Sequence, residues 1–377
     1  MIRPLLLLMV FAASCAAPPP RFPAESAVLR LRRDVEFLAS DKMKGRNNGS
    51  PEGAAAADYV AGQMENAGLK PAGENGTWFQ DVRGKGRNVI GALPGLSGRW
   101  IVIGAHHDGL GEREGRIYNG ADDNASGVAV ILEVARRLQD TMRHGLLFCS
   151  FDAEEDGLVG SSHFVKSGLY PVESFVAMIC LDLVGGSFLP GDEKRVFALG
   201  SESSKELFDR IDWERLQDKN LQVERAGIYA IEPMGPVMAR SDYSPFRLKK
   251  VPFVFFSTGT PWYYHKPEDD VERLDFAKMS LVADLVARVV RSIDYPPPNW
   301  GDPVWREPTP NVEEDARLLA AGCKRALEHP AIRASDRQKA ALAEAIEALT
   351  REDVKKETVQ QVMALLFVLA GAQKPAH

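Results

Sequence analysis

IVIGAHHDGLG, residues 101–111, carries the pattern that decides the fold, because a run of apolar residues ends abruptly in two histidines and an aspartate. Apolar runs that end in acids recur downstream in LLFCSFDAEE (146–155) and FVAMICLDLVGG (175–186), and VPFVFFSTG (251–259) is a further apolar run. Amphipathic segments of helical length separate these runs. Continuous apolar strands that alternate with helices are typical of a parallel sheet covered on both faces. The sequence therefore predicts an α/β fold: a three-layer sandwich with a mostly parallel mixed central sheet flanked by helices.

The chain divides into four predicted parts by composition. They are an export signal at 1–20, a catalytic domain at 21–294, a Pro-rich linker at 295–311 and a helical extension at 312–377. Within the catalytic domain, helices are expected at 27–39, 54–67, 127–138, after Gly157, around 202–216 and at 276–293. Three more are expected in the extension, which is predicted to pack on the domain or on a partner.

The polar segment DKMKGRNNGSPEG, residues 41–53, separates the first two expected helices. Its glycines, asparagines and proline are typical of a turn-rich connection. The sequence therefore predicts an ordinary surface loop.

The first twenty residues combine one positive charge, a short apolar run and small residues, which is typical of an export signal. The apolar run is shorter than the roughly 20 residues that a spanning helix needs. Ala12-Ala13-Ser14-Cys15 resembles a bacterial lipobox, so we expect either a cell-envelope lipoprotein acylated at Cys15 or simple cleavage and a periplasmic or secreted protein. Both interpretations export the chain, and the first attaches it to a membrane.

Charge and cysteine usage restrict the partners and cofactors. The net charge of −6 and the lack of a long Lys/Arg cluster predict no nucleic-acid partner. Cys149, Cys180 and Cys323 form no pair with the spacing of a structural zinc site. Buried free thiols are expected, with a disulfide between the strands that carry Cys149 and Cys180 as the alternative.

His106 and Asp108 follow a buried strand, where ionisable groups without partners are costly. Side chains alternate along a strand, so these two project to one side and His107 to the other. A metal-binding imidazole oriented by a carboxylate would satisfy this arrangement. A hydrogen-bonded surface turn is the alternative.

Paired acids follow in two further motifs. Asp122 and Asp123 in GADDNASG suit either a helix cap or a carboxylate that reaches a metal and bridges two ions. Glu154 and Glu155 at a strand end would repel each other unless a cation separates their roles. One of the two glutamates could bind metal while the other takes a proton from water.

Asp182 and His265 complete the predicted site. Asp182 lies in an otherwise apolar run, where a carboxylate must be paired or metal-bound. His265 lies in the aromatic and acidic loop WYYHKPEDD. All these motifs lie at or near the carboxyl ends of strands, where α/β sheets assemble their sites. Two histidines, two aspartates and a glutamate suit two zinc ions bridged by a carboxylate and a water.

The motifs together resemble those of the co-catalytic zinc peptidases related to bacterial secreted leucine aminopeptidases, which share a fold with glutamate carboxypeptidase and glutaminyl cyclase. The resemblance extends over residues 31–293. Its markers are AHHDGLG, NGADDNASG, DAEEDGLVGS, CLDLVGG, SDYSPF and YHKPEDD, in the family's order.

The resemblance implies a role for each site residue. It makes His106 and Asp182 the terminal ligands of one zinc, Glu155 and His265 those of the other, and Asp123 the bridge. Glu154 becomes the general base, Asp108 orients His106, and Tyr264 resembles a tyrosine that donates to the oxyanion. His107 occupies a variable position and is not expected to be a ligand.

The implied activity is hydrolysis of the N-terminal peptide bond of peptides by a zinc-bridged water, with a glutamate as general base. A carboxypeptidase or dipeptidase of the same fold is the alternative, and Arg240, Lys249 and Lys250 would be the cations that hold a terminal carboxylate. Glutaminyl cyclase and a non-catalytic binding protein are further alternatives. Retention of His106 and Asp123 argues against the cyclase, and the intact set of ligands and base argues against the binding protein.

Overall fold

A mixed β-sheet forms the centre of the protein, described here from a computed structural model at residues 26–82, 84–232, 241–296 and 299–374. The strands are β1 Lys70–Pro71, β2 Phe79–Asp81, β3 Arg87–Leu93, β4 Trp100–His106, β5 Gly111–Arg113, β6 Arg116–Tyr118, β7 Gly145–Phe151, β8 Phe175–Leu181, β9 Arg195–Leu199, β10 Gln222–Ala226 and β11 Phe253–Ser257. Among these residues the main sheet has the order β1-β3-β7-β4-β8-β11-β9-β10, with β2 beside β3.

The four central strands β7, β4, β8 and β11 are mutually parallel. Antiparallel pairing begins outside this group, between β3 and β7 and between β9 and β11. Because parallel neighbours place their carboxyl ends at one edge, the segments after β4, β7, β8 and β11 meet there. The predicted fold class is confirmed. The motifs that contain His106, Glu154 and Asp182 lie at the ends of the parallel strands of the sheet.

Helices cover both faces of this sheet. They are α1 Ala27–Leu38, α2 Pro51–Asn66, α3 Gly127–Arg137, α4 Val159–Ser167, α5 Lys205–Arg210, α6 Trp213–Leu216, α7 Tyr243–Leu248, α8 Phe276–Asp294, α9 Val312–Glu328, α10 Asp336–Leu349 and α11 Lys356–Gly371. The single helix expected around 202–216 is wrong. The Asp212 carboxylate accepts a hydrogen bond from the Arg215 backbone N–H and so begins a separate short helix, α6.

Two apolar clusters lie on opposite faces of the sheet because successive strand residues alternate in direction. Ile101 and Ile103 of β4 pack in the cluster with α1, α2, α3 and α8. Val102 packs in the other cluster, with α4, α7 and the three C-terminal helices. Helices α9 to α11 therefore contribute to one of the two main cores.

The segment between α8 and α9 is tied to the amino edge of the sheet by Asp302. Its carboxylate contacts the side chains of Arg143 and His144, at 2.8 and 3.0 Å, and that of Arg99. His144 is thus buried as part of an ion-pair cluster far from the motif-bearing edge, and this segment crosses the surface as a strap.

The predicted export signal and Cys15 lie outside the described residues. In the described part of the chain, no helix combines the length and apolarity required to cross a membrane. Cys149, Cys180 and Cys323 are buried free thiols.

Helices α1 and α3 are joined by a buried ion pair, which generates a stability prediction. Asp34 is fully buried and lies 2.9 Å from the Arg136 guanidinium, and it also accepts a hydrogen bond from the Tyr59 hydroxyl at 2.8 Å. Asp34→Ala removes the nearest carboxylate from a buried cation whose other carboxylate contact, Glu133, lies at 3.7 Å. We therefore expect a loss of about 3 kcal/mol in the free energy of unfolding, measured by urea denaturation.

Glu36→Ala is the matched control on the same helix. Glu36 pairs with Arg32 at 3.5 Å, and both side chains are about half exposed. Such a pair contributes less than about 0.5 kcal/mol. Equal losses in the two variants would contradict the assignment of the Asp34 pair as a structural link.

Candidate metal centre

His106, Asp123 and Asp182 form the first group of candidate ligands. The His106 imidazole is the last side chain of β4 and is fully buried. Its Nε2 lies 3.4 Å from Asp123 Oδ1 and 3.6 Å from Asp182 Oδ2. One ligand atom from each of the three residues lies within 4.8 Å of the others. This spacing allows a single ion to contact all three.

A second group adjoins the first through Asp123. His265 Nε2 lies 3.1 Å from Asp123 Oδ2 and 3.3 Å from Glu155 Oε2. These three also satisfy the 4.8 Å limit, and within the described ranges they are the only other such group. Asp123 turns one carboxylate oxygen toward each imidazole, so it can contact ions in both groups.

Asp269 holds the loop that carries Asp123. Residues Ala121–Ser126 form an irregular helical turn directly before α3. Within it, the backbone N–H groups of Asp122 and Asp123 donate to the two carboxylate oxygens of Asp269, at 2.8 and 3.0 Å. These two hydrogen bonds fix the position of the backbone that carries the Asp123 side chain.

Asp108 connects the ends of β4 and β7. Its carboxylate accepts the backbone N–H groups of Glu154 and Glu155, at 3.0 and 3.2 Å, and lies 3.5 Å from His106 Nδ1. Glu154 belongs to neither ligand group, yet its Oε2 lies 3.9 Å from His106 Nε2. Its carboxylate is therefore beside the ligands without being one of them.

His107 and Tyr264 lie at the border of the site. His107 turns away from both groups, with Nδ1 3.0 Å from Ser150 Oγ and Nε2 3.5 Å from Asp152 Oδ2. The Tyr264 ring stacks on the His265 ring, with centroids 3.8 Å apart. Tyr264 therefore forms one wall of the site, and His107 belongs to the structure behind it.

The electrostatics of the groups favour a bound cation. Burial raises the pKa of Glu154 well above its usual range, even though the His106 imidazole opposes this, and burial also raises the pKa of Asp182. Burial has the same effect on Asp123, but the imidazoles of His106 and His265 outweigh it and hold the pKa of Asp123 below its usual value. A divalent cation among these carboxylates would stabilise their charged forms.

Buried polar atoms without hydrogen bonds indicate whether the residues fit such an ion. Within the two ligand groups, four buried atoms make no hydrogen bond of acceptable geometry to the described residues: His106 Nε2, Asp123 Oδ2, Glu155 Oε1 and Asp182 Oδ1. Buried polar atoms are nearly always satisfied, so a cluster of exceptions requires an explanation. These four belong to the two ligand groups and are all imidazole nitrogens or carboxylate oxygens, the donors that zinc accepts. The residues fit a metal ion.

Arg46 is the main structural residue that the sequence interpretation missed. The segment 41–53 was expected to be an ordinary surface loop, but Arg46 is fully buried. Its guanidinium donates to the carbonyl oxygens of His107 and Gly120, both at 2.8 Å, and also to that of Asn119. The prediction of a plain surface loop is therefore wrong, because this arginine joins the backbones that follow β4 and precede Asp123.

The three cations named for a carboxypeptidase do not assemble at the site. Lys249 and Lys250 are exposed and directly precede β11, whose amino end lies at the sheet edge opposite the ligand groups. Arg240 lies outside the described residues. The two lysines therefore cannot hold a terminal carboxylate beside the ligand groups.

The carboxyl edge of this α/β sheet carries two adjoining sets of imidazole and carboxylate ligands, with a further glutamate beside them. These features define the chain as a metal-dependent hydrolase. The model of the family described as Peptidase family M28 matches residues 88–290, over half of the chain and all of the residues in the two groups. The chain belongs to Peptidase family M28. The family resemblance drawn from the motifs is thereby confirmed, as is the prediction of an enzyme that acts on peptides.

Individual relatives agree with this assignment. The chain is 26% identical over 272 residues to a probable leucine aminopeptidase of Trichophyton verrucosum, an alignment that covers 68% of each protein. Its fold is similar to that of BSAP, a zinc aminopeptidase from Bacillus subtilis, with a TM-score of 0.56, 16% identity and coverage of 75% of this chain and 98% of that one. A Porphyromonas gingivalis glutaminyl cyclase has a TM-score of 0.54 at 20% identity, covering 72% of this chain and 99% of that one.

Asp269→Asn should weaken metal binding without removing a ligand. The substitution replaces one acceptor oxygen by an NH2 group that faces the backbone N–H of Asp122 or Asp123, so the loop loses a bond. Residues that orient metal ligands typically contribute about 10–100-fold to affinity, and we expect a loss of that size in zinc competition against a chromophoric chelator.

Asp270→Asn is the matched neighbour. Asp270 accepts a hydrogen bond from the Asn119 side chain, and an asparagine oxygen can still accept it. We expect zinc affinity near that of the parent. If Asp269→Asn also binds zinc as tightly as the parent, Asp269 does not position Asp123.

Proposed function

We propose that the protein is a zinc-dependent aminopeptidase, which hydrolyses the first peptide bond of peptides that have a free N-terminus. Membership of Peptidase family M28 and the aminopeptidase names of relatives support this function. The observation that carries the proposal is the position of Glu154, beside His106 of the first ligand group and a member of neither group. Its carboxylate is free to exchange protons in a site that can bind metal.

Two zinc ions would suit the two ligand groups in this proposal. His106, Asp123 and Asp182 would hold one ion, and Asp123, Glu155 and His265 would hold the other. When bound, the ions supply Lewis acidity, which lowers the pKa of water and polarises a peptide carbonyl.

Glu154 is the proposed general base. It accepts a proton from the attacking water while the water oxygen bonds to the carbonyl carbon. The C–N bond then breaks, and the same carboxyl group returns the proton to the leaving amine, so one water is consumed for each bond cleaved. Asp108 holds the Glu154 backbone N–H at 3.0 Å and thereby keeps the base beside His106. Tyr264 is the proposed donor to the oxyanion.

The amino end of the substrate suits the charge of this site. Four carboxylates, those of Asp123, Glu154, Glu155 and Asp182, approach the two imidazoles of the ligand groups. A protonated α-amine can be stabilised by these carboxylates, and a neutral α-amine could bind a metal ion. Glutaminyl cyclases are similar in fold alone, and the retention of His106 and Asp123 in the first ligand group favours hydrolysis over cyclisation.

A peptide panel tests which end of the substrate is recognised. Peptides with a free N-terminus should lose their first residue, and N-acetylation should abolish cleavage because the α-amine can no longer bind the site. C-terminal amidation should have little effect. A chelator should stop all cleavage, and added zinc should restore it; mass spectrometry of the products records each case. Release of the last residue from N-acetylated peptides would instead show a carboxypeptidase.

Glu154→Gln should separate the base from the metal ligands. We expect kcat to fall about 10²–10⁴-fold, since glutamine cannot accept the proton, while zinc content by elemental analysis stays at the parent level. Asp123→Ala should lose metal as well as activity. Asp156→Asn is the matched control, because Asp156 is exposed two residues away and pairs with Lys85. A Glu154→Gln enzyme with parental turnover would refute the assignment of the base.

A further inference from the structure

An apolar pocket opens directly beside the ligand groups. Asp182 and Tyr264 lie at one end of its lining, so the pocket is continuous with the metal centre. The space between its walls, including the open mouth, is about 700 Å³. A pocket of this kind adjoins the bond to be cleaved and can receive one side chain of the substrate.

The sheet and the loop after β8 contribute the aromatic part of the pocket lining. Phe197 and Leu199 of β9 and Phe255 of β11 line the pocket from the sheet, and Phe188 lines it from the loop. Among the described lining residues, Asp182 at the metal centre is the only one that carries a charge. A charged substrate side chain would therefore lose its hydration without gaining a partner deep in the pocket.

The remaining wall comes from α11, far outside the part of the chain that matches the family model. Met363 and Phe367 are four residues apart, so they project from the same side of the helix. The Phe367 ring meets the Phe188 ring edge to face, with centroids 5.4 Å apart. Side-chain contacts thus connect this helix to the loop that follows Asp182.

Polar contacts hold the C-terminal segment at fixed positions around the pocket. Lys374 Nζ lies 2.6 Å from Glu268 Oε1, three residues beyond His265. Gln360 donates to the Tyr229 carbonyl oxygen at 3.0 Å, next to the pocket wall formed by the segment after β10. Helix α11 is therefore anchored at both ends to the segments that surround the site.

We propose that α11 forms a wall of the pocket that receives the side chain of the substrate's N-terminal residue, and that Met363 and Phe367 select apolar side chains there. This inference rests on the proposed aminopeptidase function. It assigns to the C-terminal helices a role in substrate selection in addition to their role in the core. Because Phe197, Leu199 and Phe255 line the pocket, the side chain that it receives is apolar and of leucine or phenylalanine size.

Aminoacyl p-nitroanilides of alanine, leucine and phenylalanine test the proposal on the full-length, zinc-loaded enzyme. Phe367→Ala removes the ring that would contact a long side chain but leaves the bond-breaking groups in place. We expect the ratio of kcat/KM for the leucyl over the alanyl substrate to fall about 10-fold, the size typical of losing apolar contact in a binding pocket. The value for the alanyl substrate should stay near that of the parent.

Phe367→Trp is a second, independent test variant, which keeps an aromatic residue in the helix. The larger ring should narrow the pocket, so the phenylalanyl substrate should lose more activity than the alanyl one. Val368→Ala is the control on the adjacent, exposed position, with 66% of the residue accessible, and should change neither ratio.

The outcomes distinguish this inference from the function on which it rests. A parent enzyme that cleaves N-acetylated peptides but none with a free N-terminus refutes the aminopeptidase function and this inference with it. A parent that releases only charged N-terminal residues refutes this inference alone. An active parent whose substrate ratios are unchanged in both folded Phe367 variants refutes only the role of α11. Altered ratios in Phe367→Ala and Phe367→Trp, with Val368→Ala unchanged, support the inference.

Discussion

The crowding of buried carboxylates at one sheet edge is the constraint on which the rest of the structure depends. Glu154, Asp123 and Asp182 all approach the same imidazole, that of His106, within 4 Å. Two like charges about 4 Å apart repel by roughly 4 kcal/mol at the effective dielectric constant near a protein surface. Positive charge must offset this repulsion, so the edge can keep its acids ionised only with bound metal or with protonated groups.

The acids in this region divide into two kinds by what their oxygens contact. Asp108 and Asp269 each accept two backbone N–H groups and act as clamps on the chain. Asp123, Glu155 and Asp182 retain buried oxygens with no partner among the described residues and are available as ligands. The clamps fix the backbone of the ligands through hydrogen bonds that require no metal. The site is therefore largely preorganised, and metal binding does not have to provide the free energy of ordering its loops.

The sequence predicted the parts of this arrangement that leave a local pattern. An apolar run that ends in an acid predicts a strand whose end bears a functional group, and parallel strands bring such ends together. Arg46 and Asp269 could not be found in this way, because their partners are backbone groups, which every residue possesses. The break at Asp212 was missed for a related reason: a single cap overrides a helical pattern that otherwise continues. The local periodicity of a sequence does not indicate which distant backbone carbonyl or N–H group a side chain will contact.

The C-terminal helices show how selectivity can vary without loss of the fold. Leu366 and Leu369 of α11 are buried in the same apolar cluster as the central strands, so this face of the helix is required for packing. Met363 and Phe367 line the pocket. Met363 also belongs to the buried cluster and lies on the same side of the helix as Leu366, whereas Phe367 is only partly buried and packs against the cluster. A change at Phe367 can therefore alter the pocket with a smaller cavity in the core than a change at Met363. The metal centre, in contrast, depends on residues from several distant segments at once, so a change in any one of them alters the site.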